Sequence, residues 1–133
     1  MFLISDIVAG NGSLDVGSYV EEPVVINSLD SLLGTVQPGP VTVNDAGGTQ
    51  TGVTAEALKL GPLADNGGPT LTHALLPGSV ALDAGVAAAD LPEFPGSEYD
   101  QRGVGYARIS GARADAGAFE VQVESPPEPT FTG

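Results

Sequence analysis

LGPLADNGGPTLTHALLPGSVALDAG, residues 60–85, is a series of tight turns separated by very short apolar runs. Pro62 fixes φ and has no backbone donor, which suits a bend or a sheet edge and not a central strand. In Asp65-Asn66-Gly67-Gly68 the first two side chains accept bonds from backbone two residues on, and the glycines supply positive φ without steric cost. No helix runs through such text. Residues 70–76 (TLTHALL) read as one short extended segment. Pro77-Gly78 has the residue order of a type II turn. Residues 80–82 form the next short run, closed by Asp83-Ala84-Gly85. Changes of direction about every six residues fit small strands or irregular coil laid on a ready-made surface.

Composition sets the bounds around that stretch. A chain of 133 residues makes one domain with a modest core. Its 17 acidic residues against 4 Lys plus Arg give a net charge of -13, which repels phosphate and so excludes a nucleic-acid role. Without cysteine there is neither a disulfide nor a thiolate metal site. Glycine (19) and proline (11) are abundant, yet 41% of residues are hydrophobic. Those two facts together point to a turn-dense all-β fold. No apolar run approaches the ~20 residues of a membrane helix, so no membrane insertion is expected. Residues 1–7 lack the positive flank and long apolar centre of a signal peptide. The chain therefore reads as starting inside structure, as a fragment of a longer protein does.

Short β-prone runs fill the first third: residues 2–4, 7–9, 19–20, 24–26 and 41–43, with Asn27-Ser28 and Asn44-Asp45 expected to end the last two. Ile7, Val24 and Val41 stand 17 residues apart. Stacked parallel β-coils produce such a period, and an Asn facing into the stack ladders with its neighbours. An antiparallel meander with hairpins of similar length fits the spacing equally well. Residues 54–60 (TAEALKL) are the one helix candidate, capped by Thr54 and stopped by Gly61-Pro62. Residues 124–133 are a proline-rich acidic linker.

GPLADNGGPTLTHALLPGSVALDAG (residues 61–85), DQRG (100–103) and RADAGAFE (113–120), in that order, resemble the C-terminal signature of bacterial choice-of-anchor Q domain proteins. IVAGNGSLDV (residues 7–16) resembles the coils that precede it. Val80, Ala57-Leu58, Ala114 and Ala116 depart from the family pattern, and the two small alanines imply looser packing at the C-terminal end. The resemblance implies the C-terminal coils of a right-handed parallel β-helix followed by a turn-rich, largely irregular cap, in a secreted or cell-surface protein. Residues 1–59 would be the last coils and 60–123 the cap that closes their open end. It also implies, as partners, the rest of a longer β-helix chain and glycans or cell-envelope components, with adhesion as the parent's role.

Asp83, Asp100, Arg102, Arg113, Asp115 and Glu120 make the best candidate site, with Asp65 and Asn66 as contributors. Ca²⁺ takes six to eight oxygens, so a calcium or carbohydrate site is one reading. The other, favoured, has Arg102 or Arg113 bridging Asp115 or Glu120 and binding loop carbonyls, holding a strand-poor region closed. His73, the single histidine, lies in an apolar run without the strained nucleophile turn of a Ser-His-Asp hydrolase. Paired carboxylates on adjacent coils would serve a polysaccharide-cleaving enzyme, but the arginines lie in the cap and Lys59 is isolated. Gly47-Gly48 and Gly67-Gly68 lack the Lys or helix start of a phosphate loop. The expectation is a non-enzymatic structural module without a cofactor. Its rival is a calcium-dependent carbohydrate-binding or polysaccharide-degrading fragment.

Overall fold

A computed structural model describes residues 1–18, 22–93 and 95–123. Residues 19–20 and the linker at 124–133 lie outside the described residues. Regular structure is mostly strand, with little helix. The strands are β1 (Phe2–Ile4), β2 (Ile7–Val8), β3 (Val24–Leu29), β4 (Leu32–Leu33), β5 (Val41–Asp45), β6 (Leu60–Ala64) and β7 (Thr72–Leu75). The helix α1 (Ala55–Leu58) and a 3₁₀ turn at Ala88–Asp90 complete it.

The first five strands come from three passes of the chain that run parallel to one another. β1, β3 and β5 form one sheet in that order, with Phe2 opposite Asn27 and Val24 opposite Val41. β2 pairs with β4, placing Ile7 opposite Leu32, and Leu32 bridges in parallel to Gln50. Val16 and Val36 make a third parallel contact. Parallel neighbours cannot be joined by a two-residue hairpin, so the meander alternative falls for these passes. Val16, Ile26, Leu33 and Val41 are buried together between the three contacts, flanked by half-buried Leu3 and Val8. Successive residues of a strand face opposite ways, so Leu33 points into this cluster while Leu32 points out of it.

Spacing and Asn placement differ from expectation. The 17-residue repeat holds between Val24 and Val41. Ile7 pairs instead with Leu32, 25 residues on, because the first pass spends a longer loop before reaching β3. β5 ends at Asn44-Asp45 as expected, whereas Asn27 does not end β3, which runs on to Leu29; the two asparagines do not face into the stack. They sit opposite each other on the outer, exposed face, where Asn44 Nδ2 donates to Asn27 Oδ1 at 2.8 Å. Ser5 (φ 56°) and Asp30 (φ 48°) take left-handed backbone at successive corners between the two sheets. The Ser5 N–H reaches the Leu29 carbonyl there, and the Asp30 N–H reaches that of Gly47.

Thr54 caps α1 as expected, its hydroxyl accepting the Ala57 N–H at 3.2 Å. The helix is shorter than the sequence implied, because Lys59 turns left-handed (φ 45°) and Leu60 already belongs to β6. β6 and β7 pair antiparallel, with an irregularity between Leu60 and Leu63 where Pro62 has no donor to give. Residues 60–123 therefore hold a hairpin as well as irregular chain. The Ser79 N–H closes the Pro77-Gly78 turn on the Leu76 carbonyl, with Gly78 at φ 86°.

The end of α1 and residues 60–123 pack on the outer side of β2 and β4. Leu58, Leu75, Ala81 and Ala116 meet Leu32 there, with Ile7, Ala9 and Val53 beside them. The Gly117 N–H donates to the Ser5 carbonyl at 2.7 Å, and the Val86 N–H to the Ser5 hydroxyl at 2.9 Å. The interior cluster of the passes contains no residue from this region. Nor is its C-terminal end loose: Ala114 and Ala116 are fully buried. The chain approaches closely there: a Cβ at Gly85 would lie 2.9 Å from the Ala114 carbonyl, and one at Gly117 2.8 Å from Ile7 Cδ1.

Candidate functional site

Four of the residues singled out in sequence converge in one buried network: Asp100, Arg102, Asp115 and Glu120, each 6% exposed or less. At its centre Arg102 makes a forked contact to Asp100, with Nη2 2.6 Å and Nε 3.1 Å from Oδ2. Nη2 also donates to the Glu120 carbonyl at 2.6 Å, and Nη1 to the Asn66 carbonyl at 3.3 Å. The guanidinium lies between two rings, 4.0 Å from the centre of Tyr106 and 3.9 Å from that of Phe119. A planar, weakly hydrated cation suits that sandwich and a lysine ammonium does not. The DNGG turn lies against this arginine. At Gly68 (φ 74°) a Cβ would stand 2.5 Å from the Arg102 carbonyl, so close approach and left-handed backbone both require glycine.

Each carboxylate is engaged through both oxygens. Asp100 accepts the Arg102 N–H on Oδ1 and the Glu120 N–H on Oδ2, both at 2.8 Å. Asp115 accepts the Asp83 N–H at 2.7 Å and the Val121 N–H at 2.8 Å. Glu120 accepts the Ser110 N–H at 2.9 Å and the Asp115 N–H at 2.6 Å. Burial pushes the Glu120 carboxyl above its usual value, against the pull of those two N–H donors. Among the described residues no group of three or more acids or histidines is arranged to hold a metal.

The pairing differs from the one expected. Arg102 bridges Asp100, not the side chains of Asp115 or Glu120. Arg113 lies apart from the network: its Nε donates to the Gly85 carbonyl and its Nη2 pairs with Asp30 at 3.0 Å, tying the region to a corner of the passes. Asp83 joins through its backbone N–H alone and takes left-handed φ of 54°. Asp65 serves its own turn by accepting the Gly67 N–H, while Asn66 Nδ2 donates to the Thr72 carbonyl and hydroxyl. His73 Nδ1 lies 2.8 Å from the Gly61 carbonyl, a bond across the β6–β7 hairpin.

Sequence reasoning missed Arg108, whose Nη1 and Nη2 donate to the carbonyls of Gly117 and Asp115 at 2.9 Å each. It also missed the aromatic pair around Arg102. The one available signal was the nearness of Tyr106 and Phe119 to the arginines in a chain with only 3 Tyr and 4 Phe. Within this network each carboxylate oxygen positions a backbone N–H. Compared with models of known families, with curated proteins and with solved structures, the chain matches none.

Proposed function

We propose that the chain is a non-enzymatic structural module, the C-terminal coils of a right-handed parallel β-helix together with the region that braces them. The parent is a secreted or cell-surface protein of the kind the choice-of-anchor Q resemblance implies. One observation carries the reading: three successive passes pair in parallel at two places, and the first two at a third, around one apolar interior. Chains that wind in this way bury through their neighbours what no single pass can bury alone. The carboxylate–arginine network supports the non-enzymatic part, because every oxygen in it already holds a chain segment in place. The work assigned to residues 60–123 is to brace the coils along one side, tied to them as Arg113 is at Asp30.

A glycan array, run with and without added calcium and followed by a reducing-sugar assay on the glycans bound, tests this directly. The expected result is neither binding nor turnover, and a melting temperature unchanged by chelator. Saccharide binding or released reducing ends would overturn the reading in favour of a carbohydrate-binding or polysaccharide-degrading fragment.

A further inference from the structure

Among the described residues no strand pairs with either outer edge of the three-strand sheet, and the two edges differ in chemistry. The Pro40 carbonyl and the Ala46 N–H bond to β3, so by alternation the backbone groups of Val41, Val43 and Asp45 turn away from it. On this edge Asp45, opposite buried Ser28, stands where an apolar side chain would invite another strand. Its Oδ1 takes the N–H groups of Gly47 and Thr49 at 2.8 and 3.2 Å. A carboxylate placed this way discourages strand addition. At the other edge the Met1 carbonyl and the Ser5 N–H bond to β3, which turns the backbone groups of Phe2 and Ile4 outward. Here the inward residue is Leu3, and the outward ones, Phe2 and Ile4, are 77% and 41% exposed.

Two cavities border that second edge. One, about 470 Å³, lies between Ile4 and the wall made by Val86, Leu91 and Tyr99. The other, about 400 Å³, lies between Ile7 and the wall made by Leu63, His73 and Phe119. Gln101 lines both, and no residue of the second or third pass lines either. The brace thus extends beyond the first pass. In register, Ile4 stands opposite Leu29 and Ile7 opposite Leu32, and Leu32 is fully buried against the brace. One more parallel pass in the same register would set one side chain in each cavity, three residues apart, as Ile4 and Ile7 or Leu29 and Leu32 are.

We infer that the β1–β2 edge is a docking surface for a further parallel pass of extended polypeptide, with the two cavities as sockets for its apolar side chains three residues apart. This rests on the proposed β-helix reading and names the partner of its open end. Asp6 Oδ2 holds the Ile4 N–H at 3.0 Å, so docking requires the incoming carbonyl to displace that carboxylate.

The test fuses a copy of residues 24–33, VVINSLDSLL, ahead of Met1 through a flexible Gly/Ser linker of about 15–20 residues. A control fusion carries aspartate in place of the copied Leu29 and Leu32. Melting and amide exchange are read at a dilution where the chain is monomeric. The active fusion is expected to melt above both the control and the unfused chain, with exchange at Phe2 and Ile4 slowed by about tenfold or more. Equal melting of the two fusions, with Phe2 and Ile4 exchanging as in the unfused chain while Asn27 and Ala46 stay protected, overturns the docking surface and leaves the coils standing. Unprotected Asn27 and Ala46 would remove the β-helix reading, and this inference with it.

Discussion

Residues 1–53 are tied mainly by backbone reaching backbone between neighbouring passes, with apolar side chains packed inside. Residues 85–120 pair as strands only at isolated bridges and are tied largely by side chains reaching backbone. A ladder repeats one interaction, so its loss at one rung is shared among many. A network built on one buried cation concentrates the load. The two regions should therefore fail differently, and the largest difference should appear at Arg102.

Arg102→Ala leaves the Asp100 carboxylate without its counter-ion in a site 6% exposed, and removes a donor from the Glu120 and Asn66 carbonyls. Breaking a buried pair from one side costs about 3–5 kcal/mol. The expected outcome is a clear fall in melting temperature, with amide protection lost at Asp115 and Val121 before Asn27 and Ala46. Arg102→Lys should not restore it, since one ammonium cannot match the fork or the ring sandwich. An unchanged melt for Arg102→Ala would remove the distinction between the two regions.

That contrast also explains what was legible in the sequence. Repetition is local and periodic, so the spacing of Val24 and Val41 held a trace of their pairing, though it fitted a meander equally well, and the acids and arginines of the last block pointed to a polar fastening. Two things were hidden. One was the long first pass, because a loop of arbitrary length between Val8 and Val24 leaves no periodic trace. The other was which arginine meets which acid. Asp100 and Arg102 are two residues apart, a separation that faces partners together only in a turn whose shape is set by contacts far along the chain. The face of the coils on which residues 60–123 pack was hidden for a related reason. The outward-facing Leu32 and inward-facing Leu33 are identical side chains, and only the pairing shows which side each one takes.

Those two leucines give the next test. Both are fully buried, and Leu→Ala at such positions costs about 2–5 kcal/mol. Leu33→Ala opens the interior of the passes, so exchange should quicken first at Asn27 and Ala46. Leu32→Ala opens the joint between the passes and the brace, so Ala116 and Gly117 should respond first. Identical exchange patterns in the two variants would mean that both regions unfold as a single unit.

A smaller effect, of opposite sign in the two regions, is expected with pH. In the passes, Asp15 accepts the N–H groups of Asn11 and Thr35 at 2.7 Å each, and these bonds hold its carboxyl below the usual 3.8. A depressed value means that its contribution is present above the ordinary pKa and is lost as pH falls through the folded one. In the brace, burial raises Glu120 above the usual 4.5, so its contribution is complete below that value and is lost as pH rises through the folded one. Melting followed across the acid range should therefore separate two variants. The gap between the parent and Asp15→Asn closes as pH drops below 3.8, whereas the parent loses ground to Glu120→Gln as pH rises from 4.5. The Gln variant turns an NH₂ toward one of the two N–H donors, which lowers its melting at every pH without altering that slope. Parallel pH profiles for the parent and Glu120→Gln would show that this carboxyl titrates in the folded chain as it does in the unfolded one, and that the network at the centre of the brace is wetter than its burial indicates.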